Sequence, residues 1–356
     1  MGELVELAEA AEAWRREGIP VALATVVAVK GSAYRREGAK MLLGPGTRMQ
    51  GSVSGGCLEP ELLAVAEEVF KDGRGRTVEY DLAEDAMWGL GIGCGGQVRV
   101  HVGLLDERLP GVWRRVEQEN EAWAAAEPLE GSGTLFIGPD EDGPAVGAVS
   151  GADADAVASA VRQRLSGVRT GIERVGDADI FVDVMAPPPV LCVFGAGHDA
   201  MPLSTLAQRV GFRVRVIDPR PAYATAERFP GADVVLTDIR SDAAASDLVP
   251  RGAYAVIMHH HVERDTAALA LLNRSSVRYV GALGPRSRTE RMLGDLAAQG
   301  VDAASVRSVL AAPVGLDIGA EGADAISVAV VGELLALRAG RPGGRLALAD
   351  GTIHAR

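Results

Sequence analysis

Cysteine, aromatic residues and long apolar segments are all scarce in this chain. Three cysteines among 356 residues are too few for a disulfide framework. Aromatic residues make up 4% of the chain, and the apolar segment at 325–337 is interrupted by Glu333 and is too short to cross a bilayer. The amino-terminal segment is acidic and amphipathic, which is not the pattern of a signal peptide. We therefore expect a cytoplasmic protein with no membrane partner.

Positive charge is also in short supply. The 36 Lys and Arg residues are outnumbered by 48 Asp and Glu residues, so the net charge is −12. A chain of this charge, with no stripe rich in Lys and Arg, repels phosphate backbones, and we expect no nucleic-acid partner. The hydrophobic share of 47% excludes a disordered chain and provides ample core material, while the length predicts two domains.

Three consecutive prolines at 187–189 predict where the two domains meet. They stand between the apolar runs 180–185 and 190–194. Because proline lacks a backbone N–H, three in a row fit neither a helix nor a strand ladder, and they form a stiff connector. We therefore place one domain at 1–186 and the other at 187–356.

The second domain alternates predicted strands with predicted helices, which is the rhythm of a doubly wound parallel sheet. Continuous apolar runs indicate strands buried on both faces, and helical spacing of apolar residues indicates the segments between them. The predicted strands are 190–194, 212–218, 233–238, 254–258 and 277–283, and the predicted helices are 198–211, 240–248, 264–274 and 286–299.

The first domain is less regular, and its pattern predicts an α+β domain of undetermined topology, so that the chain as a whole is α/β. A hairpin is predicted around Gly44-Pro45-Gly46, and residues 107–127 are predicted to be helical, with Trp113 and Trp123. No internal repeat is recognised. The other predicted helices are 3–17 and 58–73, and the other predicted strands are 20–31, 76–82, 97–105, 134–138, 145–149 and 180–185.

A glycine-rich fingerprint opens the second domain. The segment Gly195-Ala196-Gly197-His198-Asp199-Ala200 lies between a predicted strand and a predicted helix. Gly195 permits a tight turn, and Gly197 lets backbone amides approach a phosphate at the positive end of the helix. Asp218 ends the next predicted strand, where a carboxylate accepts bonds from a ribose 2′-hydroxyl, and Arg220 is an alternative phosphate partner. The pattern predicts a Rossmann-like domain; whether it binds a nucleotide stays open, because the fold persists without one.

Two cysteines in the first domain are flanked by glycines. Ser54-Gly55-Gly56-Cys57 directly precedes a predicted helix, whose amides and dipole would stabilise a thiolate. Cys94 lies in a second loop, 89–96, with five glycines in eight residues. Both cysteines are candidates for reactive groups, because their flanking glycines let a ligand approach the sulfur closely. The alternative is that each cysteine is a small apolar residue in a tight turn. Cys192 stands within an apolar strand and is expected to be a packing residue.

Further polar residues follow two other predicted strands of the second domain. His259-His260-His261 comes after the strand 254–258, and Arg286 comes after the strand 277–283. The carboxyl ends of parallel strands form the edge at which such sheets bind ligands. One histidine facing that edge and an arginine reaching a phosphate are therefore expected.

Several sequence blocks together resemble the xanthine dehydrogenase accessory protein family, also called XdhC/CoxI. The resemblance covers nearly the whole chain except about 105–185. The blocks are YRREGAKM (34–41), SGGCLE (54–59), FGAGHDAMPL (194–203), IDPRPAYATAERFPGAD (217–233), YVGALGPRSR (279–288) and PVGLDIGAEGADAISVAVVGELLA (313–336).

The resemblance implies a maturation chaperone rather than a classical enzyme. Members of that family bind and protect molybdenum cofactor, support exchange of an oxo ligand for sulfur, and insert the cofactor into a xanthine dehydrogenase or CO dehydrogenase-type apoenzyme. The implied partners also include a cysteine desulfurase and a second copy of the chain in a homodimer. Two other functions stay open: an NAD(P)-dependent oxidoreductase that uses the fingerprint, and a non-catalytic scaffold that docks a molybdoenzyme subunit.

Particular residues match the functional positions of that family. Cys57 and Cys94 match its two glycine-flanked cysteines and are the candidate catalytic residues, with Cys57 also the candidate molybdenum contact. The remaining candidates would bind the molybdenum cofactor or a nucleotide such as NAD(P): Gly55, Gly56, Gly195, Gly197, His198, Asp218, Arg220, His260 and Arg286.

Overall fold

A computed structural model describes residues 2–31, 33–82, 96–140, 143–242 and 248–348 of the chain. The chain forms two compact units, one ending at Pro187 and the other spanning Pro188–Leu348. No helix in these ranges is long and apolar enough to cross a membrane.

The first unit contains two antiparallel five-stranded sheets and four α-helices in its described part. Its elements follow the order of the chain, and a π-helical turn, Arg115–Glu119, extends α3. They are α1 (Glu3–Arg16), β1 (Ala22–Lys30), β2 (Lys40–Leu43), β3 (Met49–Gly51), α2 (Glu59–Asp72), β4 (Arg76–Asp81), β5 (Gln97–Leu104), α3 (Leu109–Arg114), β6 (Trp123–Pro128), β7 (Leu135–Ile137), β8 (Val146–Gly147), α4 (Ala154–Gly167), β9 (Gly171–Val175) and β10 (Ala178–Met185).

The two sheets are two copies of one βββαββ motif. The strand order is β3-β2-β1-β5-β4 in the first sheet and β8-β7-β6-β10-β9 in the second, which is the same order for successive strands of each motif. The register also repeats, because Met41 pairs with Gly51 in the first hairpin and Leu135 pairs with Gly147 in the second. The sequence analysis recognised no internal repeat, whereas the fold of the first unit contains one.

Each repeat packs its own helix on the outer face of its sheet. In the first repeat α2 contributes Leu62, Ala66 and Val69 to a core with β1, β2 and β5. In the second repeat α4 packs in the same way on β6, β7 and β10. The inner faces of the two sheets contact each other and also enclose α1 and α3, as Leu23 and Phe136 share one apolar cluster. A buried ion pair crosses between the sheets, with 2.7 Å between Lys40 Nζ and Asp183 Oδ2.

The sequence prediction was wrong over part of the second repeat. The helical segment expected at 107–127 ends at Glu119, and Trp123 begins β6 instead. Trp123 and the three alanines after it form a strand because β6 pairs with both β7 and β10. The helix α4 and the strand β9 were not predicted at all. The hairpin at Gly44 and the helices 3–17 and 58–73 are confirmed, with Gly73 ending α2 at φ 71°.

The second unit is a six-stranded parallel sheet with helices, as the alternating pattern predicts. The strand order is β13-β12-β11-β14-β15-β16. Its elements are β11 (Val190–Phe194), α5 (Ala200–Arg209), β12 (Arg213–Asp218), β13 (Asp233–Leu236), α6 (Ile239–Asp242), β14 (Tyr254–Ile257), α7 (Val262–Asn273), β15 (Tyr279–Ala282), α8 (Arg286–Ala298), α9 (Ala303–Val309), β16 (Leu310–Ala311) and α10 (Ala323–Arg338). The Rossmann-like fold class is confirmed.

The strand order locates the expected ligand crevice of the second unit. The chain moves from β11 to β12 on one side, and β14 lies on the other side of β11. The loops that follow β11 and β14 therefore separate at this point and leave a crevice at the carboxyl edge. The loop after β11 is the glycine fingerprint, and the loop after β14 carries the three histidines.

Candidate functional site

The Cys57 loop joins β3 to α2 in the first repeat. Cys57 is a half-buried free thiol that packs at the edge of the apolar core under α2. It lines a pocket of about 260 Å³ together with Ser54 and Gly55. The other walls are mostly apolar, and they are formed by Ala33, Tyr34, Val53, Leu58, Leu82 and Val98. The thiol and the Ser54 hydroxyl are therefore polar groups in a largely apolar recess.

A buried serine–glutamate pair holds this loop in shape. The Ser54 hydroxyl donates to a carboxylate oxygen of Glu59, and it accepts from the amides of Gly56 at 3.1 Å and Leu58 at 3.2 Å. Glu59 also accepts from the amides of Ser54 at 3.2 Å and Leu58 at 3.0 Å. The Cys57 Sγ lies 3.6 Å from the Ser54 Oγ. The hydroxyl thus links the thiol to a buried carboxylate.

This geometry changes what the sequence predicts for the thiol. The sequence predicts that unpaired amides at the start of α2 face Cys57, whereas the amides of Gly56 and Leu58 donate to Ser54 and Glu59. Burial acts to raise the pKa of the Glu59 carboxyl, but the hydrogen bonds from Ser54 and Leu58 hold it below its ordinary value. The carboxylate is therefore charged at neutral pH, close to the thiol.

The sequence analysis did not single out Glu59 as a residue that holds this loop. The available signal was its position: a glutamate three residues after Gly56 and directly at the start of a helix is placed to accept amide bonds. Among the described residues Glu59 has no ion-pair partner. The loop therefore carries one uncompensated negative charge.

Of the other two cysteines, Cys94 lies outside the described residues, so its catalytic role stays a prediction. Cys192 is fully buried in β11, its Sγ lies 3.8 Å from the Leu248 carbonyl oxygen, and burial raises the pKa of its thiol to about 12. Cys192 is thus a neutral packing residue, as its position in an apolar strand indicates.

The fingerprint loop of the second unit has one glycine that the backbone requires. Gly195 has φ 122°, and an added Cβ would lie 2.7 Å from backbone atoms of Met258 and His259. Gly197 is different, because an added Cβ would meet only His260 Cδ2 at 4.0 Å. Space above Gly197 is therefore open, as close approach of a ligand to this backbone requires.

Asp218 clamps the fingerprint loop. Its carboxylate is fully buried and accepts from the Ala196 amide at 2.7 Å. It also accepts from the Arg220 amide at 2.9 Å, from Arg220 Nε at 2.9 Å and from Arg220 Nη2 at 2.7 Å. Burial would raise the pKa of Asp218, but these bonds hold it below its ordinary value. The bond to a ribose expected from the sequence stays a prediction, and in this arrangement donors of the chain itself occupy both oxygens.

The remaining candidates lie along the carboxyl edge of the parallel sheet. His260 is exposed, adopts φ 58°, and its Nε2 lies 3.2 Å from Asp199 Oδ2 beside the fingerprint loop. His198 is exposed within that loop, and Arg286 is exposed at the start of α8. The structure thus brings His260 to the fingerprint loop.

His259 forms a buried cluster that the sequence did not single out. Its Nδ1 and its amide each lie 3.1 Å from Asp265 Oδ1, and Arg288 Nη2 lies 2.5 Å from Asp265 Oδ2. The cluster fixes the end of β14 against α7 and α8. It therefore supports the backbone that Gly195 touches.

Within the described ranges, no group of three or more His, Cys, Asp or Glu side chains is arranged to hold a metal ion. The consecutive histidines after β14 point apart, one to Asp265 and one to Asp199.

Two family models match the chain. The model of the XdhC and CoxI family matches residues 14–81, which include the Cys57 loop. The model of the XdhC Rossmann domain matches residues 191–334, which include the fingerprint loop and the histidines after β14. The two models thus match the segments that hold nearly all the candidate residues.

Relatives of known name extend the match to almost the whole chain. A Bacillus subtilis (strain 168) protein, named as a probable subunit of xanthine dehydrogenase, is 32% identical over 89% of this chain and 92% of its own length. The Escherichia coli (strain K12) molybdenum cofactor insertion chaperone PaoD is 25% identical over 89% of this chain and 83% of its own. A solved structure described as a xanthine dehydrogenase from Bacillus halodurans has a TM-score of 0.74 at 31% identity and covers 98% of both chains. With these likenesses in sequence and fold, the chain belongs to the XdhC and CoxI family.

Proposed function

We propose that this protein is a maturation factor that carries molybdenum cofactor to a molybdenum hydroxylase. The observation that carries the proposal is the position of Cys57, an accessible thiol in the wall of a recess within the segment that the XdhC and CoxI model matches. The relative PaoD, named as a molybdenum cofactor insertion chaperone, supports the same role. The client would be an apoenzyme of the xanthine dehydrogenase or CO dehydrogenase type.

The Cys57 recess fits part of such a cargo. Its volume of about 260 Å³ lies slightly below the ~300–1,000 Å³ typical of small-molecule sites, so it accommodates a ring system rather than a whole cofactor. The apolar walls and Tyr34 suit a planar ring, and a cysteine sulfur is a soft ligand suited to a transition metal. The bound cargo would supply the metal and its dithiolene, and this chain would supply the recess, the thiol and shelter from water.

Polar groups at the recess support a metal-bearing cargo. The Ser54 hydroxyl donates to the buried Glu59 carboxylate and lies 3.6 Å from the Cys57 Sγ. The thiol and this hydroxyl are therefore the groups that the recess offers to the metal of a bound cargo.

Further parts of the proposal go beyond the Cys57 recess. The fingerprint loop of the second unit is proposed to bind a phosphate-bearing ligand, because the space above Gly197 is open. On the family resemblance alone, a cysteine desulfurase is the proposed source of the sulfur that replaces an oxo ligand on the cargo, and Cys94 is the proposed second cysteine. The homodimer is likewise proposed, and sedimentation equilibrium at micromolar concentration tests it. A monomer under those conditions would contradict the homodimer and leave the carrier role intact.

The test is retention of molybdenum by the purified protein. The chain is produced in cells that make the cofactor, and molybdenum per chain is measured by mass spectrometry alongside the visible spectrum. Wild type and Cys192→Ser should retain molybdenum, whereas Cys57→Ser should lose most of it and should no longer activate an apo-hydroxylase. Cys192 is the matched control because its thiol is fully buried in β11 of the second unit and does not line the recess.

Other outcomes would contradict the role of Cys57 or favour one of the other two functions. Equal molybdenum retention by Cys57→Ser and wild type would overturn the role of Cys57. A protein that binds no molybdenum but oxidises NADH or NADPH would be an oxidoreductase. A protein that binds the hydroxylase without molybdenum and without effect on its activation would be a docking scaffold.

A further inference from the structure

The buried state of Asp218 removes the usual acceptor for a ribose diol. In a Rossmann-like domain a carboxylate at this position accepts from the ribose hydroxyls of NAD. Here both oxygens accept from Ala196 and Arg220, and the residue has no exposed surface. A ribose diol would have to displace the guanidinium to reach this carboxylate.

The group that faces solvent at this position is instead a stack of two arginines on a tyrosine. The Arg220 guanidinium carbon lies 4.1 Å from the centre of the Tyr223 ring, and the Arg228 guanidinium carbon lies 4.9 Å from the same centre. Tyr223 is 40% exposed. Asp218 neutralises one guanidinium, so the stack keeps a net positive charge.

The stack lies against the start of α5. Arg228 Nη2 lies 3.4 Å from the Met201 sulfur in the first turn of that helix. On the other side, the Asp218 oxygen that binds Arg220 Nη2 also binds the Ala196 amide of the fingerprint loop. The two arginines therefore stand beside the positive end of a helix, where an anion is favoured. Guanidinium groups bind phosphate with two parallel hydrogen bonds, and a flat ring stacks on tyrosine or arginine.

We propose that Arg220, Tyr223 and Arg228 form a subsite for a phosphate monoester attached close to a planar heterocycle, and that this subsite rejects an unphosphorylated ribose. The inference rests on the part of the proposed function in which the second unit binds a phosphate-bearing ligand, and it names the chemistry that this ligand presents. NADPH carries such a monoester at its 2′ position. NADH carries only the pyrophosphate diester, so the pair isolates the feature.

The first experiment compares NADPH with NADH on the full chain by calorimetry. The subsite predicts that NADPH binds roughly tenfold more tightly or better, since a charge-assisted pair of bonds is lost with NADH. Inorganic phosphate should compete with NADPH. Equal affinities for the two dinucleotides, or no binding of NADPH and of inorganic phosphate, would overturn the proposal.

Two variants and a control separate the parts of the subsite. Arg228→Ala should remove most of the preference for NADPH while Asp218 stays covered. Arg220→Ala should uncover the Asp218 carboxylate and reverse the preference, so that NADH binds as well as or better than NADPH. Arg209→Ala, at the opposite end of α5, removes the same charge and should change nothing. A preference that survives Arg220→Ala would contradict the assignment.

The source of the monoester is distinguished by loading. A pterin cofactor that carries a phosphate would occupy the same subsite, so protein isolated from cofactor-producing cells should then bind NADPH more weakly than protein from cofactor-deficient cells. Equal binding by both preparations would assign the subsite to a nucleotide. Molybdenum content is measured on the same samples. If only the subsite proposal is wrong, the molybdenum content is unaffected. If the carrier role is wrong, the protein from cofactor-producing cells contains no molybdenum.

Discussion

The two repeats of the first unit share one fold, but only the first carries a cysteine in its strand-to-helix loop. Four of five residues match between Gly51-Ser52-Val53-Ser54-Gly55 in the first repeat and Gly147-Ala148-Val149-Ser150-Gly151 in the second, which differ only at Ser52 and Ala148. Both segments lead from an edge hairpin into the helix that covers the sheet. The second repeat therefore serves as an internal control that separates what the fold needs from what the cysteine site adds.

Residues that match between the repeats serve the backbone. Gly51 has φ 88° and an added Cβ would lie 2.7 Å from the Lys40 carbonyl oxygen. Gly147 has φ 105°, and an added Cβ would overlap the carbonyl oxygen of Thr134, the residue that corresponds to Lys40. Both glycines let the hairpin strands approach each other. They are structural in both repeats.

Residues that differ between the repeats belong to the cysteine site. The sequence Gly56-Cys57-Leu58-Glu59 is replaced by Ala152-Asp153-Ala154-Asp155 in the second repeat. Asp153 is an ordinary helix cap, since its side chain accepts from the Asp155 amide. The first repeat has no such cap on α2, and Glu59 accepts the Leu58 amide instead. Cys57 thus stands at the position of the capping Asp153, and Glu59 accepts an amide at the start of α2 in place of a cap.

The largest effect should come from the matched glycines. Gly51→Ala and Gly147→Ala should each destabilise the first unit by roughly 3 kcal/mol or more, because left-handed strain adds to a collision with backbone. Gly56→Ala should cost only about 1–2 kcal/mol, because its φ is 110° but an added Cβ meets nothing within 4 Å. Urea unfolding measures all three. Tolerance of Gly147→Ala would break the equivalence of the hairpins.

A smaller effect is a pH dependence of stability that arises on the inner face of the second repeat and not at the matching position of the first. Glu127 in β6 corresponds to Thr25 in β1, and burial next to Asp183 raises the pKa of Glu127 from 4.5 to about 7. The folded protein binds this proton more tightly than the unfolded chain does. Stability from this residue is therefore full below pH 4.5 and falls as the pH rises to about 7, by roughly 1–3 kcal/mol.

The Glu127→Gln variant isolates this contribution. The free energy of unfolding of wild type relative to the variant should decrease between pH 4.5 and 7. Burial lowers the pKa of His101 to about 4, so this histidine makes the free energy of unfolding rise with pH. It does so equally in wild type and in the variant. A constant difference across this range would mean that Glu127 is ionised throughout.

The smallest expected effect compares Glu59 with its counterpart Asp155. Glu59→Gln should destabilise the protein by about 1–2 kcal/mol, because Ser54 and Leu58 lose a charged acceptor. Asp155 is exposed, and Asp155→Asn should change stability by less than about 0.5 kcal/mol. Urea unfolding measures both variants, and equal stability of Glu59→Gln and wild type would show that the carboxylate does not hold the Cys57 loop.

The second unit could be predicted from its sequence because its signals are local. Continuous apolar strands, a glycine turn and amphipathic helices follow one another at short range, and parallel connections have one hand. Gly195 was predicted to permit a tight turn, and its φ of 122° agrees with that, whereas its close contact with the backbone of Met258 and His259 was not predicted. The role of Asp218 was harder to predict, because nothing in the sequence tells whether a carboxylate faces a ligand or the Ala196 amide.

The first unit resisted prediction because its order depends on distant pairing. The strand β6 contains three alanines and a proline, which favour no strand by themselves, and it is held by β7 and β10 on its two sides. The repeat was missed since its identical residues are few and lie in short turns. Cys57 was proposed as a candidate because of its flanking glycines, while the dependence of its loop on Glu59 required the structure.

Lys40 leaves the ribosome long before Asp183, its buried partner in the second repeat. Until β10 has been synthesised, the inner face of the first sheet, with Leu23 and Leu42, has no second sheet to cover it. A nascent first repeat therefore resembles a half-finished sandwich, prone to associate with other chains or with holding chaperones. The first sheet therefore completes its packing only when the whole first unit has emerged from the ribosome.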